Sequence, residues 1–153
     1  MYQPPSRYDR TPAERADEGL SWARPDERFF AAGACHILAW TFIDAHPEAG
    51  FRPVGLRLVG EPHVWHVYVT NDTWAFDYYG WVSEPELLEA TAAEKRASGE
   101  DRPLERVELP ENLDVFCEQH RHRKPAEFAR LPWQRAVAYL AKFPPDPPTT
   151  SAF

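Results

Sequence analysis

The stretch HVWHVYVTNDTWAFDYYGW, residues 63–81, constrains the fold more than any other part of the chain. Its two runs, HVWHVYVT and TWAFDYY, are rich in β-branched and aromatic residues, the composition of strands. Between them stands Asn71-Asp72, a pair that tolerates the positive φ angles of a tight type I′ turn. The pattern predicts an antiparallel hairpin. With Asn71-Asp72 as a two-residue loop, Thr70 faces Thr73, Val69 faces Trp74, Val67 faces Phe76 and His66 faces Asp77. Side chains alternate across a strand, so Trp65, Val67, Val69, Trp74, Phe76 and Tyr78 gather on one face. That face needs a cover, and the C-terminal helices are the expected one. His66 and Asp77 share the opposite face, with Cβ atoms about 5 Å apart. A one-residue slip would exchange the faces of one strand relative to the other, so the apolar pairing itself supports this register.

Around the hairpin the elements follow in order. FFAAGACHILAWTFIDAH is apolar on nearly every side from 34 to 45, which suits a helix buried all round. Gly33 marks its start, and Asp44, His46 and Pro47 mark its end, so Cys35 falls in the first turn. PVGLRLVG reads as a strand with Val54, Leu56 and Leu58 on one face. Ser83 and Glu86 form a capping box for a helix that has Pro85 in its first turn and ends at Gly99. LERVEL is a further strand. Helical pieces follow near 111–121 and 125–143, where Pro132 starts a fresh helix carrying Trp133, Val137, Leu140 and Phe143. The fold class is α+β: a buried helix packed on a small antiparallel sheet, with peripheral C-terminal helices.

The 153 residues fit one domain that buries roughly 70% of its unfolded surface. Of the sixteen prolines, many sit in two clusters near the ends, at Pro4-Pro5 and in Pro144-Pro145-Asp146-Pro147-Pro148. They suggest a flexible tail over 1–20, a single domain over 21–143 and a proline-rich tail over 144–153. The net charge of -7 argues against nucleic acid or an anionic membrane as the main partner, since either needs a basic face. The one dense basic patch, HRHRK at 120–124, reads as a solvated loop. No apolar run is long enough to span a bilayer and no leader is recognisable, so the expected location is cytoplasmic, or exported as an effector without a cleavable signal. Two cysteines, Cys35 and Cys117, are too few for a disulfide framework and read as free thiols.

An imidazole beside a carboxylate has a chemical consequence. The carboxylate fixes the ring's tautomer and stabilises the imidazolium, so His66 with Asp77 can serve as a base if a nucleophile lies within reach. Cys35 is that candidate, because the start of a helix favours thiolate and offers free N–H groups to a developing oxyanion. Each feature alone also has a structural reading: a packed thiol, or a simple hydrogen bond on a sheet. Their chain order and the cross-strand match favour the chemical one. His36 points about 100° around the helix from Cys35 and is expected at the cleft rather than as the base, while Tyr79 and Trp81 are candidates for its rim. His63 and His66 fall on opposite faces of a strand, and Cys117, His120 and His122 lack a second pair of ligands. No metal and no cofactor are expected.

On GACHILAW, WHVYV and AFDYYGW the chain resembles the papain-like, or transglutaminase-like, Cys-His-Asp superfamily, over about residues 30–81. Similar proteins include cysteine peptidases, cell-wall amidopeptidases, transglutaminases, deamidases and arylamine acetyltransferases, with small stand-alone and toxin-like bacterial members. The resemblance implies a papain-like fold and attack by a thiolate on an amide or thioester carbonyl of a protein or peptide substrate. Cys35 would be the nucleophile, His66 the base and acid, and Asp77 the group that orients it. Papain-type peptidases carry a glutamine shortly before the cysteine, whereas this chain reads RFFAAGA, so the second oxyanion donor is unassigned. The competing expectation is a non-catalytic protein-binding module of adaptor or immunity type that keeps the fold.

Overall fold

The computed structural model describes residues 1–148. Three short helices, α1 (Pro12–Ala16), α2 (Glu18–Trp22) and α3 (Asp26–Ala31), lead into the central helix α4 (Cys35–Ala45). Strands β1 (Arg52–Leu58), β2 (His66–Thr70), β3 (Trp74–Asp77) and β4 (Gly80–Ser83) follow, then helix α5 (Glu84–Ala97) and strand β5 (Leu104–Glu108). Helices α6 (Leu113–His120) and α7 (Trp133–Leu140) complete the described chain. The strands form one antiparallel sheet in the order β4-β3-β2-β1-β5. The architecture is therefore α+β, as expected. No helix of the described residues is long and apolar enough to cross a membrane.

Helix α4 lies where its composition requires. Every residue from Cys35 to Phe42 is buried, and the helix packs against β2 and β3 on one side of the sheet. Val67, Val69 and Phe76 project into this layer and join Ile37, Leu38 and Phe42 in one core. The cover of the hairpin's apolar face is thus mainly α4, with the C-terminal region beside it: Phe143 meets Phe76 edge-on at 5.3 Å. Within α7, Ala136 and Tyr139 are buried while Val137 is exposed. The other side of the sheet carries Val54, Leu56, Tyr68, Ala75 and Val82 against Leu87 of α5. The alternation expected of β1 is present there, and Ser83 caps α5 through the Glu86 N–H.

Two sequence-based expectations need correction. The hairpin pairs Val69 with Phe76 and Thr70 with Ala75, two residues along from the predicted register. Its loop is longer than two residues because Asn71 accepts hydrogen bonds from the Thr73 and Trp74 N–H groups, at 3.0 and 2.8 Å, while Asp72 takes a positive φ of 77°. The side chain of Asn71 thus builds a turn of its own kind in place of a type I′ turn. A shift of two residues keeps the paired side chains of β2 and β3 on their faces. Trp65, expected on the apolar face with Val67 and Val69, instead packs on the other side, where Lys95 of α5 lies over its ring. His66 and Asp77 remain on the same side, now diagonal rather than opposite. The second correction concerns residues 1–20, which pack instead of trailing as a tail. Tyr2 is buried against Leu87 and Tyr68, its N–H donates to Glu86, and Thr11 caps α1 with a capping box. At the other end, the Pro144 carbonyl accepts from Trp81 Nε1, and residues 149–153 of the expected C-terminal tail lie outside the described residues.

Candidate functional site

Cys35 is the first residue of α4, and Gly33, two residues before it, adopts a φ of +102°. That left-handed angle turns the chain sharply out of α3 and into α4, and it favours glycine. No side chain caps α4, so its first N–H groups keep their donor capacity beside the Cys35 thiol. His66 opens β2 opposite Leu56 of β1, and its ring is fully buried. Asp77 ends β3 just before the turn into β4.

The three sequence-predicted catalytic residues converge. His66 Nε2 lies 2.8 Å from Asp77 Oδ2, and Asp77 Oδ1 accepts from the Tyr79 N–H at 2.9 Å. A carboxylate held on both oxygens fixes the imidazole through Nε2 and leaves Nδ1 for the opposite side. Nδ1 closes no hydrogen bond, although it is buried. The Cys35 side chain is close enough to raise the proton affinity of the ring. Burial alone would pull the His66 pKa down. Hydrogen bonding and charge interactions with Asp77 and Cys35 outweigh it, and the pKa is raised to about 9.

Two groups at the site were not read from the sequence. Tyr2 donates its hydroxyl to Asp77 Oδ2 and stands 3.4 Å from His66 Nε2. Nothing in the opening residues signals this, because the contact exists only once the N-terminal segment crosses the sheet. The second is the HRHRK segment, which is not a solvated loop. His120 Nδ1 accepts from the Val64 N–H at 3.2 Å, and His122 Nε2 donates to the Val64 carbonyl at 2.9 Å. Two histidines thus hold both backbone groups of a residue just before His66. Arg123 donates to the Gly33 carbonyl at 3.0 Å and pairs with Glu18, while its own carbonyl accepts from His36 Nε2 at 2.7 Å. Arg121 makes the connection possible through a left-handed φ of 57°.

His36 is wholly buried among Phe116, Phe128 and His122, so it supports the site from within the core. Tyr79 is partly buried beside Tyr2, and Trp81 packs on Phe42, Phe51 and Phe76. The cleft by Cys35 is lined by other residues. It measures about 450 Å³, and Gly33, Val64, Trp65 and His122 belong to its wall. The Cys117-His120-His122 spacing does not form a cluster, since Cys117 donates to the Arg123 carbonyl at 3.5 Å while both histidines serve Val64. A different group does come together: Cys35, His36 and His122 each offer one ligand atom, all within 4.8 Å of one another. Both imidazoles commit Nε2 to a carbonyl, which leaves Nδ1 with its lone pair. Burial lowers the pKa of both, to about 4 for His122, so both rings are neutral near pH 7. Those three residues have the chemistry to hold a thiophilic divalent metal.

No family model, curated protein or solved structure matches the chain.

Proposed function

We propose that the protein is a thiol-dependent hydrolase or acyltransferase of papain-like type, acting at an amide or thioester carbonyl of a protein or peptide substrate. The observation that carries this reading is the pairing of the buried His66 ring with Asp77 at Nε2, with Cys35, at an uncapped helix start, close enough to raise the ring's proton affinity. In the first step the Cys35 thiol gives its proton to His66 and the sulfur attacks the carbonyl carbon, so the S–H bond breaks and a C–S bond forms. The carbonyl π electrons move to oxygen, where the free N–H groups at the start of α4 stabilise the charge. The intermediate then collapses as the C–N or C–S bond to the leaving group breaks. The leaving group takes a proton from the His66 imidazolium. In the second step His66 accepts a proton from water or an amine as that group attacks the thioester carbon. The C–S bond then breaks, and the sulfur takes the proton back from His66 to regenerate the thiol. Asp77 keeps the ring oriented through both steps and does not itself change protonation.

The test is site-resolved alkylation by iodoacetamide across pH. Cys35 should react in the native protein ahead of Cys117, and His66→Ala should slow Cys35 while leaving the fold intact. Inert Cys35 with reactive Cys117 refutes the reading. The convergence of Cys35, His36 and His122 favours a second reading, in which the thiol is a metal ligand. Under that reading, zinc protects Cys35 from alkylation at stoichiometric amounts, and His36→Ala with His122→Ala abolishes the protection.

A further inference from the structure

The chain is acidic overall, yet the cleft beside Cys35 is not. Arg10, Arg15, Lys95, Arg121 and Arg123 line it, against Asp9 as the single acidic residue. The thiol itself is buried just behind its wall: Gly33, two residues before Cys35, and His122 belong to the lining, and one His122 ring nitrogen lies within 4.8 Å of the Cys35 sulfur. Val64 and Trp65, which precede His66, line the same space.

Arg10 is the informative member. Its guanidinium is partly buried, and among the described residues it has neither a side-chain hydrogen bond nor an ion pair. It sits instead beside a second cation. A Cβ added at Gly33 would fall 3.2 Å from Arg10 Nε and 2.7 Å from Arg123 Nη2, so both guanidinium groups crowd the backbone just before the nucleophile. Arg123 has Glu18 and the Gly33 carbonyl as hydrogen-bonding partners; Arg10 has no such partner. Burial first, then the Arg123 charge, lower the Arg10 pKa, and the Glu18 and Glu14 charges nearby offset them only in part. A partly desolvated, unpaired cation next to a like charge is unfavourable unless an anion occupies the space between them and the cleft. Guanidinium forks suit the planar oxygens of a carboxylate and equally those of a phosphate.

We propose that this cleft is an anion subsite centred on Arg10, and that the substrate is an acyl compound bearing a carboxylate or phosphate close to the carbonyl that Cys35 attacks. The proposal rests on Cys35 being the nucleophile. It selects among the amides and thioesters that such a thiol could process, because a neutral acyl group would leave the Arg10 guanidinium without an anion in contact.

Iodoacetate and iodoacetamide give a test that needs no knowledge of the substrate. Both form the same S–CH2 bond and release iodide, and they differ in a carboxylate against a neutral amide. The His66 imidazolium by itself favours the anionic reagent, so the reading is the change in the ratio of rates at Cys35 on substitution of Arg10. Arg10→Gln should slow iodoacetate by about tenfold while iodoacetamide stays within about twofold. Arg10→Lys should keep much of the preference, and Arg15→Gln should reduce it less. Added salt should weaken the wild-type preference. Protection by succinate as against inorganic phosphate then distinguishes the two anions. An unchanged ratio in Arg10→Gln and Arg15→Gln, or an equal fall for both reagents, overturns the subsite and leaves the nucleophile standing. Failure of both reagents to modify native Cys35 overturns the nucleophile assignment, and the subsite with it; reaction with iodoacetamide but not iodoacetate overturns the subsite alone.

Discussion

Replacing Asp77 with asparagine should change how stability depends on pH, and the size of the change follows from the His66 environment. The His66 pKa rises from its ordinary 6.5 to about 9 in the folded protein. A raised pKa means that the folded state still holds the proton after the unfolded chain has released it. The resulting stabilisation is complete below pH 6.5 and is lost as pH rises through about 9. For a fully buried ring the interval corresponds to about 3 kcal/mol. Asparagine keeps the shape of Asp77 and removes the charge, which for a close carboxylate is worth about 1–3 pH units. Burial, the strongest single influence on this ring, then dominates and brings the His66 pKa to 6.5 or below. Urea unfolding at a series of pH values, with the slope against denaturant checked for constancy, measures the effect. Wild-type stability should fall by about 3 kcal/mol between pH 6.5 and 9 through this group, and Asp77→Asn should remove most of that fall. Comparing the two proteins cancels groups common to both, including Cys117, whose thiol burial pushes up to about 11. Equal slopes in the two proteins would refute the coupling of His66 to Asp77, whatever their absolute stabilities.

The acid side should show the opposite sign: His122 is depressed to about 4 by burial, so its contribution is present above pH 6.5 and is lost as pH falls toward 4. His122→Gln should flatten that limb in the same urea series. Tyr2→Phe removes the hydroxyl donated to Asp77 and should cost about 1–2 kcal/mol in urea unfolding, with the basic limb retained. Phe116, wholly buried beside Trp40, His120 and His122, should cost about 3–5 kcal/mol when truncated to alanine. Cys35→Ser should abolish labelling by a thiol-directed acyl probe, while Cys117→Ser leaves the labelling within about twofold.

The site was legible in the sequence to the extent that it depends on side-chain parity. Val67, Val69 and Phe76 identify the buried face of the hairpin, and that assignment survives a register error of two residues because strand side chains alternate with a period of two. His66 and Asp77 were therefore placed on one side from composition alone. The loop was not legible in the same way. Asn71 has the residue type of a tight turn, but its side chain takes the Thr73 and Trp74 N–H groups and sets a wider loop. That choice is made by one side-chain oxygen, which no hydropathy pattern records. Helix α4 was legible because an all-apolar stretch of this length has few places to go other than the centre of the fold.

What the sequence hid is polar. HRHRK looks like a charged surface loop because its partners come from three separate segments: Glu18, the start of α4 with Gly33 and His36, and Val64. Tyr2 looks like the start of a tail for the same reason, since its partner Asp77 is supplied by the sheet. These contacts have a common consequence for the candidate chemistry. His120 and His122 hold the backbone before His66, Arg123 holds the backbone before Cys35, and the Arg123 carbonyl orients His36. One short segment thus clamps both approaches to the thiol and the imidazole, which lie on different secondary-structure elements with no covalent constraint between them. A nucleophile and base that must meet within a few tenths of an ångström need such a clamp. The interdigitated packing of α4 on β2 is non-directional, and the side-chain hydrogen bonds from residues 120–123 add direction to it by tying the Gly33 carbonyl and both backbone groups of Val64 to one segment.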